Sequence, residues 1–404
     1  MRVFCAVRHS NNPRHFFGAL WSGNFYPALR EMGHEIVESQ VDLAATSQFM
    51  SIASDFTTEQ QNLRGNATQQ IMDEVKRAHA EKPVDLFLSY FYNSHFDPAA
   101  FAQLHAWGIP TINFYCNSIY QFELVAAIAS KVNYSWHAEK HARASYLAVG
   151  ANPVWVQMGA DPQVYHPVEG VKRAPDAAFV GLRYADRDRW MAALVRAKVP
   201  VVIYGRGWGV EPPAEPSPKQ QPASAASPLS ANYLLEIRRN LSGHGLFGGL
   251  LRTKRQYDYR QETRRLRDLL LPHAKGPVPL DGLGEMFSSH EVILNFSNVW
   301  SDGRVGSKLI PHVRLRDFEA PMCRTCFLTG HSDEIAEFYA LGKEIDTYSS
   351  SEELVDKVRY YLARPKAAEE LREAGYQRAR RDHTWVRRFE QLFRETGLTS
   401  KGMA

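Results

Sequence analysis

The chain has 404 residues, 44% hydrophobic, 23% charged and 12% aromatic, a soluble globular composition rather than a disordered or coiled-coil one. Lysine plus arginine number 48 against 44 acids, and a formal charge of +4 is too small to announce a nucleic-acid binder. No stretch approaches the roughly 18 uncharged apolar residues of a membrane span. The opening MRVFCAVRHS lacks the apolar segment of a secretory signal, and four cysteines do not make a disulfide framework. The expectation is a cytoplasmic protein with reduced thiols, long enough for two domains.

Short apolar runs alternate with helical stretches from the start, the pattern of a parallel sheet covered by helices. Arg2 to Val7 reads as a strand, followed by the polar loop His9-Ser10-Asn11-Asn12-Pro13. Apolar residues then recur at helical spacing from Phe16 to Met32, and Gly33 stops the helix. Strands are expected at His34–Glu38, Val84–Tyr90, Pro110–Tyr115 and Lys131–Trp136. Helices are expected over Asn62–Glu81, from Asp97-Pro98 to Trp107-Gly108, and around Glu123. This makes one α/β domain over 1–157. The segment Met158-Gly159-Ala160-Asp161-Pro162 is rich in breakers and reads as a crossover.

A second alternation follows over 158–380. Strand Ala177–Val180, turn Gly181–Ala185, helix Asp186–Lys198 and strand Pro200–Tyr204 form a βαβ unit. An insertion over 206–280 then interrupts the pattern, first with six prolines between Gly205 and Asn232, then with a basic helical region from Tyr233 to Leu271. Alternation resumes with strand Val292–Phe296, a helix near Leu315–Arg324, strand Cys326–Thr329, and helices from Ser332 and Ser351. Residues 381–404 carry an amphipathic helix, His383–Glu395, expected to cross back to the first domain. Two such doubly wound domains facing a central cleft would place ligand contacts on loops just after strands.

Five sets of residues stand out. Gly181-Leu182-Arg183-Tyr184-Ala185 leads into a helix whose free N–H groups, with Arg183 or Arg187, suit phosphate oxygens; a tight turn with solvated arginines fits the same residues. Asp186-Arg187-Asp188 matches an Asp-x-Asp metal pattern, but Asp186 reads better as a helix cap. In Arg314-Leu315-Arg316-Asp317-Phe318-Glu319, guanidiniums and helix N–H groups could neutralise a diphosphate while Glu319 takes two ribose hydroxyls. An internal Arg–Asp–Glu network explains the same residues. Ser297, Arg304 and Lys308 lie on loops that could reach phosphate or acceptor, and a plain flexible loop explains the same residues. Cys323-x-x-Cys326 has no second cysteine pair for zinc and reads as core.

In the first half, His9, Asn11, His95 and Asn117 follow strands and line one edge. Each reads as a loop or cap residue, and a histidine there could also act as a general base because its pKa lies near neutrality. Arg252, Lys254, Arg255, Arg260, Arg264, Arg265 and Arg267 form a basic run with Leu246, Phe247, Leu250 and Leu251 ahead of it. It could dock on an anionic membrane or an acidic glycan through residues 252–267, or be a solvated helical face.

The run Arg314–Thr329, with Gly342-Lys343-Glu344-Ile345, Ser351-Glu352-Glu353-Leu354, His383-Thr384-Trp385, Phe179-Val180-Gly181 and Tyr204-Gly205-Arg206-Gly207-Trp208, resembles the CgeB-type branch of family 1/4-like glycosyltransferases. The resemblance covers roughly 175–395 and implies a GT-B fold with two Rossmann-like domains. It also implies a nucleotide-sugar donor held by the second domain, an unidentified acceptor in the first, and no bound metal or other cofactor. The reaction implied is hexosyl or deoxyhexosyl transfer, with Glu319 on the donor ribose. Arg324 replaces a frequent glycine, and His312 stands where related enzymes carry an acidic residue. Two other outcomes fit the same fold: a catalytically silent scaffold and a nucleotide-sugar epimerase. In the transferase reading Arg183, Arg316 and the helix N–H groups stabilise the departing diphosphate, and His9 is the base.

Overall fold

The computed structural model describes residues 1–12, 18–210 and 231–398, which form two compact units. Unit 1 comprises Met1–Gln163 with Arg380–Ala404, and unit 2 comprises Val164–Ala379. The expected helix start at Phe16 and the proline-rich stretch 211–230 lie outside the described residues.

Unit 1 is built on a six-stranded sheet of β1 (Arg2–Ala6), β2 (Glu35–Glu38), β3 (Leu86–Ser89), β4 (Thr111–Tyr115), β5 (Tyr134–His137) and β6 (Pro153–Trp155). The strand order is β2-β1-β3-β4-β5-β6 and every pairing is parallel. All residues of β1, β3 and β4 are buried, as continuous apolar strands covered on both faces must be. The chain leaves β1 toward β2 and returns to β3 on its other side. The β1/β3 boundary is therefore where the winding reverses, and ligands of doubly wound sheets bind at such boundaries beyond the strands' carboxyl ends.

The last helix, Trp385–Thr396, belongs to this unit. Trp385 and Phe389 are one turn apart and pack with Phe25 and Trp136, ring centroids 5.0 to 5.5 Å apart across Phe25–Trp385, Phe25–Phe389 and Trp136–Phe389. The Trp385 indole N–H donates to Asn24 Oδ1 at 2.7 Å, so its one polar atom is satisfied inside the apolar cluster.

Unit 2 has a second six-stranded sheet: β7 (Ala174–Val180), β8 (Val201–Tyr204), β9 (Ala274–Gly276), β10 (His290–Asn295), then, beyond a β11–β12 hairpin (Val299–Trp300, Leu309–Ile310), β13 (Cys326–Gly330) and β14 (Asp346–Tyr348). The order β14-β13-β10-β7-β8-β9 is again all parallel, and the winding reverses between β7 and β10. Phe179, Val292, Leu294, Phe296, Leu328, Leu354 and Val358 fill its core.

Three expectations are corrected here. No helix starts at Ser332, where the chain makes a single turn at Ile335–Glu337. The stretch around Glu123 is a succession of short turns, not one helix. Asp186 does not cap the helix Arg187–Arg196, because its carboxylate accepts from the Asn298 amide at 2.7 Å instead. The basic helical region Ala231–Leu270 breaks at Gly245, which takes φ 69° and ψ 176°. Its two arms fold against each other, with the Asn240 amide donating to Thr253 Oγ1 at 3.1 Å and Gln256 Oε1 at 2.8 Å.

Candidate functional site

In unit 2 the site is built where β7 and β10 end. Gly181 follows β7, and a Cβ there would come within 2.7 Å of the Phe179 ring and 3.0 Å of Arg187 Nη1. The missing side chain thus makes room for the Arg187 guanidinium. Arg187 opens the following helix and is buried. Its Nη1 donates to Leu182 O at 2.8 Å and Nη2 to Phe296 O, just past β10, at 3.3 Å. The guanidinium therefore bridges the two strand ends that flank the reversal. Its partners are neutral carbonyls, which orient a charge without cancelling it.

The second guanidinium is that of Arg314, half-buried. Burial first, and then the like charge of Arg314, push Arg187 down to about 9, with Asp186 partly opposing. Among the described residues, Arg187 Nε and Arg314 Nε are buried without a hydrogen-bond partner, and neither arginine forms an ion pair. The two like charges repel, while Asp186 attracts Arg187 and Asp317 attracts Arg314; the donors left unused suit an anion with several oxygens.

The other candidate groups of this unit are occupied within the protein. Arg183, singled out for phosphate, is held at 2.8 Å by Asp188 and also donates to Thr263 O. Arg316 pairs with Glu319; burial opposes its charge, but Glu319 and Tyr165 hold its pKa above the usual value. Glu319 is buried in that pair, with the Tyr165 hydroxyl against it, so it is not presented to a ribose. Asp317 is also internal: its carboxylate accepts from the Arg314 N–H at 2.7 Å, the Asn295 amide at 2.9 Å and the Thr329 hydroxyl at 2.8 Å. That set ties the helix Arg316–Met322 to the ends of β10 and β13. The N–H groups of Asp317, Phe318 and Glu319 bond back to Arg314 O and Leu315 O, so they are not offered to a ligand. Of the two readings of this run, the internal network is the one observed for Arg316, Asp317 and Glu319.

Ser297 is buried, its hydroxyl 3.4 Å from Gly330 O, whereas Arg304 and Lys308 lie exposed on the β11–β12 hairpin. His312 is buried. Cys323 and Cys326 are free, buried thiols whose pKa burial raises. Among the described residues no group of three His, Cys, Asp or Glu side chains is placed to hold a metal ion.

In unit 1 the β1/β3 reversal gathers His9, Tyr90, Tyr92 and His95. The His9 ring stacks on Tyr90 at 4.9 Å and lies 4.1 Å from His95. His9 Nε2 meets Tyr90 O, which can only accept, so the proton sits on Nε2. His95 is fully buried, its Nδ1 accepting the Tyr92 N–H at 3.1 Å and its Nε2 meeting the Ser47 hydroxyl at 3.1 Å. Both nitrogens are used internally, so His95 is not placed to touch an acceptor. Burial lowers His9 to about 4 and also depresses His95, so His9 is held neutral at physiological pH and is a weaker base than a free imidazole. Asn11 is exposed and donates to Gln40 O, while Asn117 accepts from the Tyr120 hydroxyl at 2.6 Å.

These histidines set a pH dependence. His137, at the end of β5, is likewise lowered to about 4 by burial. A histidine whose folded pKa lies below its unfolded value binds a proton in the unfolded state first, between about pH 6.5 and 4. Stability is therefore full above about pH 6.5 and falls on acidification, each such group contributing up to about 1.4 kcal/mol per pH unit. Urea midpoints at pH 7 and pH 5 check this: a clear drop at pH 5 is expected, and equal midpoints contradict it.

Residues 227–394, less than half of the chain, match a family model described as glycosyl transferase-like. No curated protein sequence matches the chain. Among solved structures, the sucrose-phosphate synthase of Thermosynechococcus elongatus superposes with a TM-score of 0.58 at 13% identity, covering 99% of this chain and 100% of the other. HepE of Anabaena in complex with UDP and glucose gives 0.56 at 11% identity, with coverages of 99% and 100%. The same protein in complex with UDP-glucose gives 0.54 at 10%, with coverages of 98% and 99%. At these identities the likeness concerns the fold, which is GT-B.

Proposed function

We propose that the protein is a glycosyltransferase of CgeB type that takes a nucleoside diphosphate-hexose or deoxyhexose as donor and binds its diphosphate between Arg187 and Arg314. The single observation that carries this reading is the two like-charged guanidiniums at the β7/β10 reversal, neither in an ion pair and each with a buried Nε that has no partner among the described residues. The glycosyl transferase-like match and the GT-B fold support sugar transfer, and the UDP-glucose complex of HepE supports the donor class. Glycosyl transfer needs stabilisation of the negative charge that develops on the departing diphosphate. In this reading Arg187 supplies it from a position fixed by two carbonyls, and Arg314 adds a second charge. A guanidinium pair, rather than a divalent cation, then meets the leaving group. The four free cysteines suit a reducing, cytoplasmic setting.

The test is thermal unfolding with UDP, GDP, TDP and CMP-type ligands, with nucleosides as controls. One diphosphate at 100 times its Kd is expected to add about 2.7 kcal/mol. Incubation with the matching nucleotide-sugar should then release nucleoside diphosphate in an acceptor-dependent way. If no diphosphate shifts the transition, the reading fails. Conversion of the sugar without an acceptor would make the protein an epimerase instead.

A further inference from the structure

No helix among the described residues is long and apolar enough to cross a membrane. The helical hairpin in unit 2 nevertheless carries an apolar tip that the described residues leave uncovered. Leu246, Phe247, Leu250 and Leu251 are 74%, 86%, 54% and 44% exposed, four large apolar side chains within six residues. The tip is held on a fixed support. A Cβ on Gly249 would come within 2.8 Å of the Asn240 backbone, so the two arms approach as closely as backbone allows. Below it, Arg252 pairs with Asp302, and the Gln256 amide donates to Val305 O at 3.0 Å.

Cations follow the tip at helical spacing. Lys254 and Arg255 are exposed one turn beyond Leu250 and Leu251, and Arg264, Arg265 and Arg267 are exposed farther along the same arm. From Leu246 to Leu270 there are seven Arg and Lys against three Asp and Glu, an excess equal to the formal +4 of the entire chain.

We infer that this hairpin docks the protein on an anionic lipid bilayer, inserting Leu246, Phe247, Leu250 and Leu251 while Lys254 and Arg255 engage lipid phosphates. The dimensions agree. At 1.5 Å rise per residue Lys254 sits about 10 Å along the helix from Phe247, so an end-on tip inserts its apolar residues while the cations stay at headgroup level. An acidic glycan would use the cations but would leave Phe247 in water. A second copy seated on the same face would bring Lys254 and Arg255 toward their own like charges. The inference is independent of the sugar-transfer reading, because its readout needs no turnover.

The experiment is co-sedimentation of the full chain with phosphatidylcholine vesicles and with mixed phosphatidylcholine–phosphatidylglycerol vesicles. Binding to the mixed vesicles alone is expected, weakening as salt rises. Phe247→Asp with Leu250→Asp, both exposed and outside the proposed donor site, should lower vesicle affinity tenfold or more at an unchanged melting temperature. Lys254→Glu with Arg255→Glu should abolish the preference for the anionic lipid. Absence of binding to mixed vesicles, or equal binding by the tip variant, would overturn the inference. So would a wild-type dimer in sedimentation velocity that the tip variant dissolves.

Discussion

Replacing Arg314 with methionine is expected to raise the stability of the ligand-free protein by about 1 kcal/mol while weakening nucleoside diphosphate binding tenfold or more. The two effects have one origin. Arg314 depresses the pKa of buried Arg187 through like-charge repulsion, and its own buried Nε has no partner among the described residues. Removing that charge relieves Arg187, and this gain is expected to outweigh the lost attraction between Arg314 and the buried Asp317 carboxylate. The same change takes from the diphosphate a charge-assisted contact worth about 1.5–3 kcal/mol. A merely structural arginine behaves in the opposite way, since its loss costs stability and leaves affinity alone. Denaturant unfolding and a UDP titration of Arg314→Met separate the two cases. Lower stability with unchanged affinity would remove Arg314 from the site.

Gly205→Ala is expected to cost about 3 kcal/mol or more and to weaken donor binding with it. Gly205 follows β8 at φ 134°, where a side chain is strained, and an added Cβ would lie 2.1 Å from Gly181 O. That oxygen also accepts the Trp208 indole N–H at 2.9 Å, and the Gly181 N–H donates to Tyr204 O at 2.9 Å. The loops after β7 and β8 are thus locked through Gly181, the residue that leaves space for Arg187. Forcing them apart would displace the guanidinium from the two carbonyls that orient it. A variant within 1 kcal/mol of wild type, with unchanged UDP affinity, would show that this close approach matters to neither property.

The sequence makes the central strands legible because they are largely apolar runs: β1, β3 and β4 fall inside the expected segments, and β10 and β13 overlap theirs, starting two residues earlier and ending one residue later respectively. The strands it hides are the outermost ones. β6, β9 and β14 have three residues each, and Pro153, Lys275 and Asp346 dilute any apolar pattern. The helix Pro365–Asp382 escapes for a different reason. Its buried stripe is Ala368, Leu371, Arg372, Gly375 and Ala379, mostly small residues that do not spell a helical period in large apolar side chains. Gly375 is small because a Cβ would strike Glu344 O at 2.2 Å.

The site is legible in part for the same kind of reason. An arginine-rich run at 314–319 and an arginine after β7 are visible in the residues themselves. Which guanidinium stays unneutralised is not, because that depends on distant partners. Thr263 O receives Arg183 across 80 residues, and Tyr165 joins the Arg316–Glu319 pair from more than 150 positions away in the chain. Asn298, which draws the Asp186 carboxylate off the helix it was expected to cap, is likewise a tertiary contact.

The most direct measurement is a calorimetric comparison of UDP with uridine, or of whichever diphosphate and nucleoside stabilise the protein, on wild type and Arg187→Met. In wild type the diphosphate should bind at least tenfold more tightly than the nucleoside, and in Arg187→Met that advantage should fall by tenfold or more while nucleoside affinity holds. A folded Arg187→Met protein that keeps the full preference for the diphosphate would contradict the account.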